Sequence, residues 1–259
     1  MKIAITGKGG TGKTTLAGIL AQLFSQDGYR VLAVDADPDA NLASALGIPD
    51  KLAGAIKPIS EQRQLIKERT GANPRQFGQL FKINPTVTDI PDDYSLNFHS
   101  IKLLVMGAVR RGGDGCACPE NVLLKNLLSE IILHRNEVVI VDMEAGIEHL
   151  GRATSGAIDK MLIVVEPGSR SITTARTIVK LGDDIGLHDF SIVGNKIRSD
   201  RQREWIRKQC EPLPVLGMIP YSDAIQDSDL HGKPPIDVID PNVRGEFDRI
   251  YQQLLHGSS

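Results

Sequence analysis

Residues 7–14 read Gly7-Lys8-Gly9-Gly10-Thr11-Gly12-Lys13-Thr14 and lie between a predicted strand, Lys2–Thr6, and a predicted helix, Lys13–Asp27. A phosphate-binding loop needs this context, because its glycines let backbone N–H groups converge on an anion at the positive end of a helix. In such a loop Lys13 reaches the β- and γ-phosphates of a nucleotide, and the Thr14 hydroxyl ligates Mg²⁺. The residues predicted to bind the nucleotide here are Gly9, Gly10, Thr11, Gly12, Lys13, Thr14 and Thr15.

Beyond this loop, short apolar runs alternate with longer segments of helical periodicity, which predicts crossover connections and a mostly parallel sheet. The predicted strands are Lys2–Thr6, Arg30–Val34, Lys102–Met106, Glu137–Val141, Met161–Val165, Ser191–Asn195 and Pro214–Ile219. The predicted helices are Lys13–Asp27, Pro119–Arg135, Ile172–Ile185, Asp200–Cys210 and Pro241–Leu255. The expected fold is α/β, a single-domain P-loop NTPase with a mostly parallel twisted sheet of about seven to eight strands and helices on both faces.

The whole chain, residues 1–259, is predicted to form one domain, because the alternation of strand and helix resumes after each interruption. One interruption is long. Residues 48–100 separate the second and third predicted strands, and they contain five prolines and one clear helical segment, Glu61–Arg69. We expect a helical insertion there, and two interpretations stay open: short helices that pack on the sheet edge, or a surface that docks a partner.

Composition excludes several classes of protein. The 259 residues carry 30 Lys and Arg against 32 Asp and Glu, a net charge of −2, which does not suit bulk electrostatic capture of nucleic acid. No apolar run approaches the ~18–20 residues that span a bilayer. Three cysteines are too few for a secreted fold built on disulfides. We therefore expect a cytoplasmic protein with no nucleic-acid or membrane partner.

Acidic side chains end two of the predicted strands. Asp35 and Asp37 follow the second strand, and Asp142 closes the apolar run Val138–Val141. Ligands bind at the carboxyl ends of the strands in open α/β sheets, and an acid that closes an apolar strand holds Mg²⁺ in P-loop proteins. Asp142 is therefore predicted to hold Mg²⁺ through water, together with Thr14.

Two cysteines lie one residue apart in the glycine-rich stretch Gly112–Glu120. In extended backbone, residues i and i+2 project to one side, so Cys116 and Cys118 can present both sulfurs together. Pro119 opens the next predicted helix, whose N-terminus stabilises a thiolate, the form that binds metal. A soft cation such as zinc takes four ligands, so a two-fold dimer axis through this loop would complete the site. Incidental reduced thiols and a redox dithiol are the alternatives.

The loop resembles a known variant of the phosphate-binding motif. The form Lys-Gly-Gly-x-Gly-Lys-Thr at Lys8–Thr14 is similar to the deviant Walker A motif of dimeric ATPases, which include the nitrogenase iron protein and the septum-positioning and chromosome-partition ATPases. The resemblance implies a homodimer that hydrolyses ATP to ADP, in which Lys8 reaches the partner subunit's nucleotide. It also implies that Asp37 orients the attacking water and that Asp35 lies near the Mg²⁺. The predicted catalytic residues are thus Asp37, Lys8 and Lys13.

The base-binding end of the site is predicted from two places in the chain. Asn195 ends the sixth predicted strand, and its amide offers a donor and an acceptor together, which suits the edge of adenine. The family has an asparagine at this place, and Ile219-Pro220-Tyr221 resembles the segment that lines the base. We expect Asn195, Pro220 and Tyr221 to contact the base, with simple packing as the alternative for Tyr221.

The cysteine pair makes the resemblance more specific. Combined with the deviant P-loop, it is similar to the nickel-insertion ATPases that mature carbon monoxide dehydrogenase, and to their relatives that serve acetyl-CoA synthase. The similar segments are Asp35–Gly47 (DADPDANLASALG), Gly115–Leu123 and Asp142–Gly151 (DMEAGIEHLG). The resemblance implies a nickel metallochaperone in which Cys116 and Cys118 of both subunits bind Ni²⁺, or Zn²⁺ in its place, and deliver nickel to one of these client enzymes.

Two other functions stay open, besides an ATP-dependent amide-forming ligase that shares the fold and would not need the cysteine pair. One is a positioning switch like the septum and partition ATPases, with the apolar face of the C-terminal helix as a membrane anchor. That helix carries Glu246 and Asp248 beside its two arginines, so it lacks the cationic face expected for binding to anionic lipid. We therefore expect it to dock on the sheet. The other is an iron-protein-like ATPase with an iron–sulfur cluster between its subunits, although those relatives use separated single cysteines rather than a Cys-x-Cys pair.

Overall fold

The computed structural model describes residues 1–256 except 75, 77, 108–117, 136, 147–149 and 151–155, and for residues 229 and 230 the backbone alone. The strands are β1 (Lys2–Gly7), β2 (Val31–Ala36), β3 (Leu96–Phe98), β4 (Ile101–Val105), β5 (Val138–Met143), β6 (Lys160–Val165), β7 (Phe190–Ile197) and β8 (Val215–Pro220). They form one sheet in the order β3-β4-β2-β5-β1-β6-β7-β8. Every neighbouring pair is parallel except β3 with β4. The predicted α/β fold with a mostly parallel sheet is confirmed.

Helices cover both faces of the sheet, as predicted. They are α1 (Lys13–Gln26), α2 (Leu42–Ala45), α3 (Asp50–Ala53), α4 (Arg63–Thr70), α5 (Ile90–Asp93), α6 (Pro119–His134), α7 (Ser169–Ile185), α8 (Asp200–Cys210), α9 (Asp223–Leu230) and α10 (Pro241–His256). One buried apolar cluster joins α4, α6, α7 and α8 to strand residues such as Ala4 and Val139. A second joins α1, α2 and α10 to Ile3 and Ile140. Successive strand residues thus face opposite layers, as the two-residue period of a strand requires.

The C-terminal helix α10 docks on the sheet. Its buried side chains are Val243, Phe247, Ile250, Tyr251 and Leu254. Ile250 lies against Gly217 of β8, and the Tyr251 hydroxyl donates to Asp27, just beyond α1, at 2.6 Å. The expected docking is confirmed, so the apolar face of this helix is not presented as a membrane anchor. Among the residues that the structure describes, no helix is both long and apolar enough to cross a bilayer.

The long insertion at residues 48–100 consists of short elements at the sheet edge. It contains α3, a 3₁₀ turn at Ile59–Glu61, α4, α5 and the edge strand β3. The predicted helix Glu61–Arg69 corresponds to that turn and α4. Strand β3 was not predicted, because three residues are too few to show a period. Arg135 pairs with Asp92 of α5 at 2.8 Å and with Glu137 at 2.7 Å, which ties the insertion to the start of β5.

Three neighbouring strands place the predicted acidic site residues and the phosphate loop at one edge of the sheet. β2, β5 and β1 lie side by side, and their register pairs Asp142 with Asp35 on one side and with Ile5 on the other. The carboxyl ends of these parallel strands therefore meet at one edge of the sheet, where the loop between β1 and α1 also begins.

Candidate nucleotide-binding site

The loop between β1 and α1 has the backbone that its glycines predict. Gly10 and Gly12 adopt φ angles of +78° and +94°, in the left-handed region that favours glycine. A Cβ at Gly12 would also overlap the Nδ2 atom of Asn195. Helix α1 begins at Lys13, so the first N–H groups of the helix, which have no partner within it, lie next to the loop as an anion site requires.

A cleft of about 640 Å³ opens over this loop, a volume typical of small-molecule sites. Ten predicted site residues line it: Gly9, Gly10, Gly12, Lys13, Thr14, Thr15, Asp37, Asn195, Pro220 and Tyr221. Thr11 is fully buried instead, and its hydroxyl donates to the Lys8 carbonyl at 2.8 Å. Ser44, Gln226 and Lys233 line the cleft as well. Gln226 and Lys233 were not predicted, because the segment around α9 has no distinct periodicity, and Ser44, in α2, was not singled out within the segment Asp35–Gly47.

Asp35 and Asp142 form a buried pair of carboxyl groups beside the cleft. They are register partners on β2 and β5, and both are fully buried. Burial raises the pKa of Asp35 to about 6 and the pKa of Asp142 to about 7, from an ordinary value of 3.8. Repulsion from Asp35 adds to the shift at Asp142, while the nearby Thr14 hydroxyl and Lys13 ammonium lower the pKa of Asp142. If both carboxyl groups were ionised, the negative charge of the site would therefore exceed what the surrounding groups offset.

The oxygens of Asp142 fit a cation. Both are buried, and neither has a partner in hydrogen-bonding geometry among the described residues. A buried carboxylate in this state is costly unless it is protonated or paired with a cation. Asp35 differs, because its two oxygens accept backbone N–H groups from Asp37 at 3.3 Å and from Leu42 at 2.9 Å. Asp142 thus suits Mg²⁺ ligation, whereas Asp35 mainly shapes the turn at residues 35–42.

Lys13 and Asp37 face the same part of the cleft. The Lys13 Nζ atom lies 3.8 Å from the Oδ2 atom of Asp37, and the lysine side chain is buried. The other carboxylate oxygen of Asp37 accepts the N–H of Asp39 at 3.0 Å, which fixes the orientation of the group. A phosphate on Lys13 and a water on Asp37 would therefore be neighbours, as the predicted roles of these residues require.

Lys8 is paired with Glu166, which follows β6. The Nζ atom of Lys8 lies 3.5 Å from one carboxylate oxygen of Glu166, and the Nζ atom of Lys196 lies 3.7 Å from the other. Lys8 is not among the described residues that line the cleft, and 38% of its side chain is exposed. Exposed ion pairs contribute only about 0–1 kcal/mol. The pair with Glu166 therefore leaves Lys8 free to move toward another nucleotide at little cost.

Asn195 and Lys196 clamp the phosphate loop. The Asn195 amide donates to the Thr11 carbonyl at 2.8 Å and accepts the N–H of Lys196 at 2.8 Å. Lys196 has a φ of +58°, unusual for a residue with a side chain, and its ammonium donates to the Gly10 carbonyl at 2.6 Å. For a base, Asn195 keeps one amide proton and one lone pair. Its contact with adenine stays a prediction, and its contact with the loop is a role that the sequence did not reveal.

Tyr221 is held at the edge of the cleft next to Pro220. The guanidinium of Arg198 stacks over its ring at 3.5 Å from the centroid, and its hydroxyl donates to Gln226 at 2.8 Å. A ring fixed on one face and at its tip suits stacking on a base. The predicted base contact of Tyr221 is compatible with this geometry and stays a prediction.

Thr6 is a site residue that sequence reasoning missed. Its fully buried hydroxyl donates to the Glu144 carbonyl at 2.8 Å and accepts the N–H of Gly146 at 3.3 Å. Glu144 and Gly146 follow Asp142 closely, so one hydroxyl joins the strand that enters the phosphate loop to the segment after this predicted magnesium ligand. The available signal was a hydroxyl residue directly before Gly7 in an otherwise apolar strand.

The cysteine pair lies partly outside the described residues, because Cys116 is not among them. Cys118 is the residue before α6, and its backbone is extended, with φ −98° and ψ 154°. Within the described ranges, no group of three or more His, Cys, Asp or Glu side chains is arranged to hold a metal ion. The shared thiolate site therefore stays a prediction. Cys210 is buried in the core, and burial raises the pKa of its thiol, as a packing role implies.

A glycine-rich loop at the first strand–helix junction, beside buried carboxylates on a parallel sheet, defines a P-loop nucleotide-binding protein. The chain belongs to the family described as the CobQ/CobB/MinD/ParA nucleotide binding domain, whose sequence profile matches residues 2–236. It is an ATPase of this family, related to other ATP-binding proteins along nearly its whole length.

Two relatives cover almost the entire chain. The carbon monoxide dehydrogenase accessory protein CooC of Rhodospirillum rubrum is 46% identical over 255 residues, which are 98% of this chain and 96% of the relative. An uncharacterized ATP-binding protein of Methanocaldococcus jannaschii, MJ0823, is 44% identical over 257 residues, 98% of each chain. The expected resemblance is thereby confirmed.

Solved structures share the fold. The MinD cell division protein of Aquifex aeolicus superposes with a TM-score of 0.68 at 20% identity and covers 99% of this chain and 97% of its own. The septum site-determining protein MinD of Pyrococcus horikoshii, complexed with Mg-ADP, has a TM-score of 0.68 at 22% identity, with coverages of 100% and 98%. At these identities the likeness concerns the architecture of the sheet and its helices.

Proposed function

We propose that this chain is an ATP-driven metallochaperone that loads nickel into carbon monoxide dehydrogenase or acetyl-CoA synthase. The observation that carries the proposal is the 46% identity over 98% of the chain to a protein named as a carbon monoxide dehydrogenase accessory protein. The Cys-x-Cys pair and the deviant P-loop in one chain support it, because together they suit ATP-controlled binding of a soft metal ion.

The nucleotide half of the cycle uses the cleft. Backbone N–H groups of the loop and the Lys13 ammonium bind the β- and γ-phosphates, and Asp37, 3.8 Å from that ammonium, orients a water. The water attacks the γ-phosphorus, the bond to the oxygen that bridges to the β-phosphorus breaks, and ADP and phosphate result. A bound Mg²⁺ would neutralise phosphate charge; Thr14 and Asp142 are the residues that would hold it, and Asp35, whose oxygens accept backbone N–H groups, would lie beside it.

The metal half of the cycle uses two copies of the chain. Cys116 and Cys118 supply two thiolates per protomer, so a homodimer presents the four sulfur ligands that Ni²⁺ would occupy and that Zn²⁺ also fits. Lys8 supports a dimer, because among the described residues it does not line the cleft of its own chain and pairs with the part-exposed Glu166, which leaves it available to a partner's nucleotide.

ATP and nickel are coupled in this proposal. ATP draws the protomers together and aligns the thiolates, and hydrolysis relaxes the segments after β2 and β5, separates the thiolates and releases the metal to the client enzyme. Such coupling requires a different Ni²⁺ affinity in each nucleotide state, typically by about 5–150-fold.

Nickel titration of the Asp37→Asn variant tests the proposal. This variant keeps the cleft but loses the carboxylate that orients the water, so ATP persists during the measurement. We expect the Kd for Ni²⁺ to be at least ~5-fold lower with ATP than without it, and the protein to have the mass of a dimer. The Cys116→Ser/Cys118→Ser double variant should lose this binding, while the matched Cys210→Ser variant retains it. Equal nickel affinity and unchanged mass with and without ATP would contradict the proposal.

A further inference from the structure

Met106 and Gly107 connect β4 to the segment that carries Cys116, and we call these two residues the β4 junction. The buried Met106 is held from two sides. Its N–H donates to the Asp35 carbonyl at 2.9 Å, and its own carbonyl accepts the N–H of Ser60 at 3.0 Å. The junction therefore joins the end of β2, which forms the nucleotide cleft, to the insertion at residues 48–100.

Gly107 is in close contact with the insertion. Its φ is +76°, and a Cβ there would overlap the Ser60 hydroxyl and would lie 2.6 Å from the Cβ atom of Pro58. The ring of Pro58 is rigid, so it has little freedom to give way. A side chain at position 107 would therefore displace the junction or the turn Pro58–Ser60.

The turn Pro58–Ser60 is itself anchored. Ile59 is fully buried in the apolar cluster that includes Leu123 and Leu127 of α6, and the 3₁₀ turn that contains Ile59 contacts this helix. Helix α6 begins directly after Cys118. The insertion thus contacts the chain on both sides of the cysteine pair, at the β4 junction before it and at α6 after it.

The other side of the junction belongs to the nucleotide cleft. Both carboxylate oxygens of Asp35 accept backbone N–H groups of the turn at residues 35–42, from Asp37 and Leu42. A rearrangement of this turn around a γ-phosphate would therefore shift the peptide of Asp35, whose carbonyl is bonded to Met106.

We propose that the β4 junction, held between Asp35 and the turn Pro58–Ser60, is the positioning element through which the nucleotide state sets the arrangement of the cysteine pair. The inference rests on the proposed function. It assigns a role to the insertion, which holds one side of the junction fixed while the cleft moves the other. Neither Met106 nor Gly107 is among the described residues that line the cleft, and both act through the residues on either side of them.

The Gly107→Ala variant tests this, with Gly71→Ala as its matched control. Gly71 has a nearly equal φ of +80°, but a Cβ there would meet nothing within 4 Å. Both variants carry the same backbone strain, and only Gly107→Ala disturbs the contact with Pro58. The measurement is the Kd for NiCl₂ with and without a non-hydrolysable ATP analogue, together with the Kd for the analogue itself. We expect the nucleotide-dependent ratio of nickel Kd values to be at least ~5-fold in wild type and in Gly71→Ala, and to fall to about one in Gly107→Ala.

A second pair of variants keeps the test decisive if Gly107→Ala unfolds, which far-ultraviolet circular dichroism would reveal. Ser60→Pro removes the N–H that Met106 accepts, and Ser60→Ala retains it. Loss of the ratio in Ser60→Pro alone, with nucleotide binding retained, supports the inference. Retention of the wild-type ratio in the folded Gly107→Ala or Ser60→Pro overturns it while the proposed function stands. Wild-type protein without cysteine-dependent nickel binding would overturn both.

Discussion

The buried carboxyl groups of Asp35 and Asp142 make the free energy of unfolding depend on pH. Asp142 is recognisable from the sequence as an acid that closes an apolar strand, but its protonation state depends on its surroundings. Burial raises the pKa of Asp142 to about 7. Between about pH 4 and about pH 7 the folded chain therefore keeps a proton on Asp142 that the unfolded chain, with an ordinary pKa of 3.8, has already released. The free energy of unfolding therefore falls as pH rises from about 4 to about 7 and is level above that range.

The Asp142→Asn variant should remove the part of this pH dependence that comes from Asp142, while the raised pKa of Asp35 leaves a part of its own. The raised pKa of Asp142 corresponds to as much as ~4 kcal/mol, so we expect the variant to be more stable than wild type by ~1–3 kcal/mol at pH 8 and by much less at pH 5. Urea unfolding without Mg²⁺ or nucleotide measures both values. A stability difference that is the same at pH 5 and pH 8 would show that Asp142 titrates normally.

At the scale of elements, the connection between β1 and the segment after β5 passes through one hydroxyl. Thr6 bonds the backbone of both Glu144 and Gly146. Because this segment follows Asp142, the proposed magnesium ligand, we expect its position during hydrolysis to depend on a side chain of the strand that enters the phosphate loop.

The Thr6→Val variant removes these bonds and keeps the shape of the side chain. We expect it to bind ATP within about threefold of wild type, because the loop glycines are unchanged, and to lose about tenfold in kcat, the effect of ~1.4 kcal/mol on the barrier. Steady-state ATPase assays with a separate binding titration separate the two quantities. Thr6→Ser retains the hydroxyl and should recover most of the activity, and failure of this rescue would assign the loss to packing instead.

The elements that the sequence predicted share a strong local signal. Strands such as β5 begin with an apolar run, Val138–Val141, and α8 was predicted with its observed bounds, Asp200–Cys210, because its residues have a helical period. Apart from α4, the short elements of the insertion and α9 lacked such signals, since elements of three to eight residues are too short to show a clear period. Their positions follow from contacts with distant parts of the chain.

At the scale of the whole molecule, each chain of the proposed dimer supplies half of the ligands of one metal site. Cys116 and Cys118 supply two thiolates, and a tetrahedral sulfur site takes four. We therefore expect about one nickel ion per two chains in a native mass spectrum recorded with Ni²⁺ and ATP. The Cys118→Ser variant should lose the metal, whereas Cys210→Ser, altered at a buried core position, should keep it. One nickel ion bound tightly per monomer would contradict a shared site.

The sequence by itself determined the phosphate loop, the order of the longer strands and helices, and the candidate magnesium acid, because glycine conformation, residue periodicity and the end of an apolar run are local properties of the chain. Only the tertiary structure decided that Asn195 and Lys196 hold the loop at Thr11 and Gly10, that Thr6 bonds the segment after Asp142, and that Pro58 lies against Gly107. These contacts join residues that lie tens to hundreds of positions apart, and no local pattern encodes which backbone carbonyl a distant side chain will reach. The packing of the sheet against its two helical layers determines which of these contacts form.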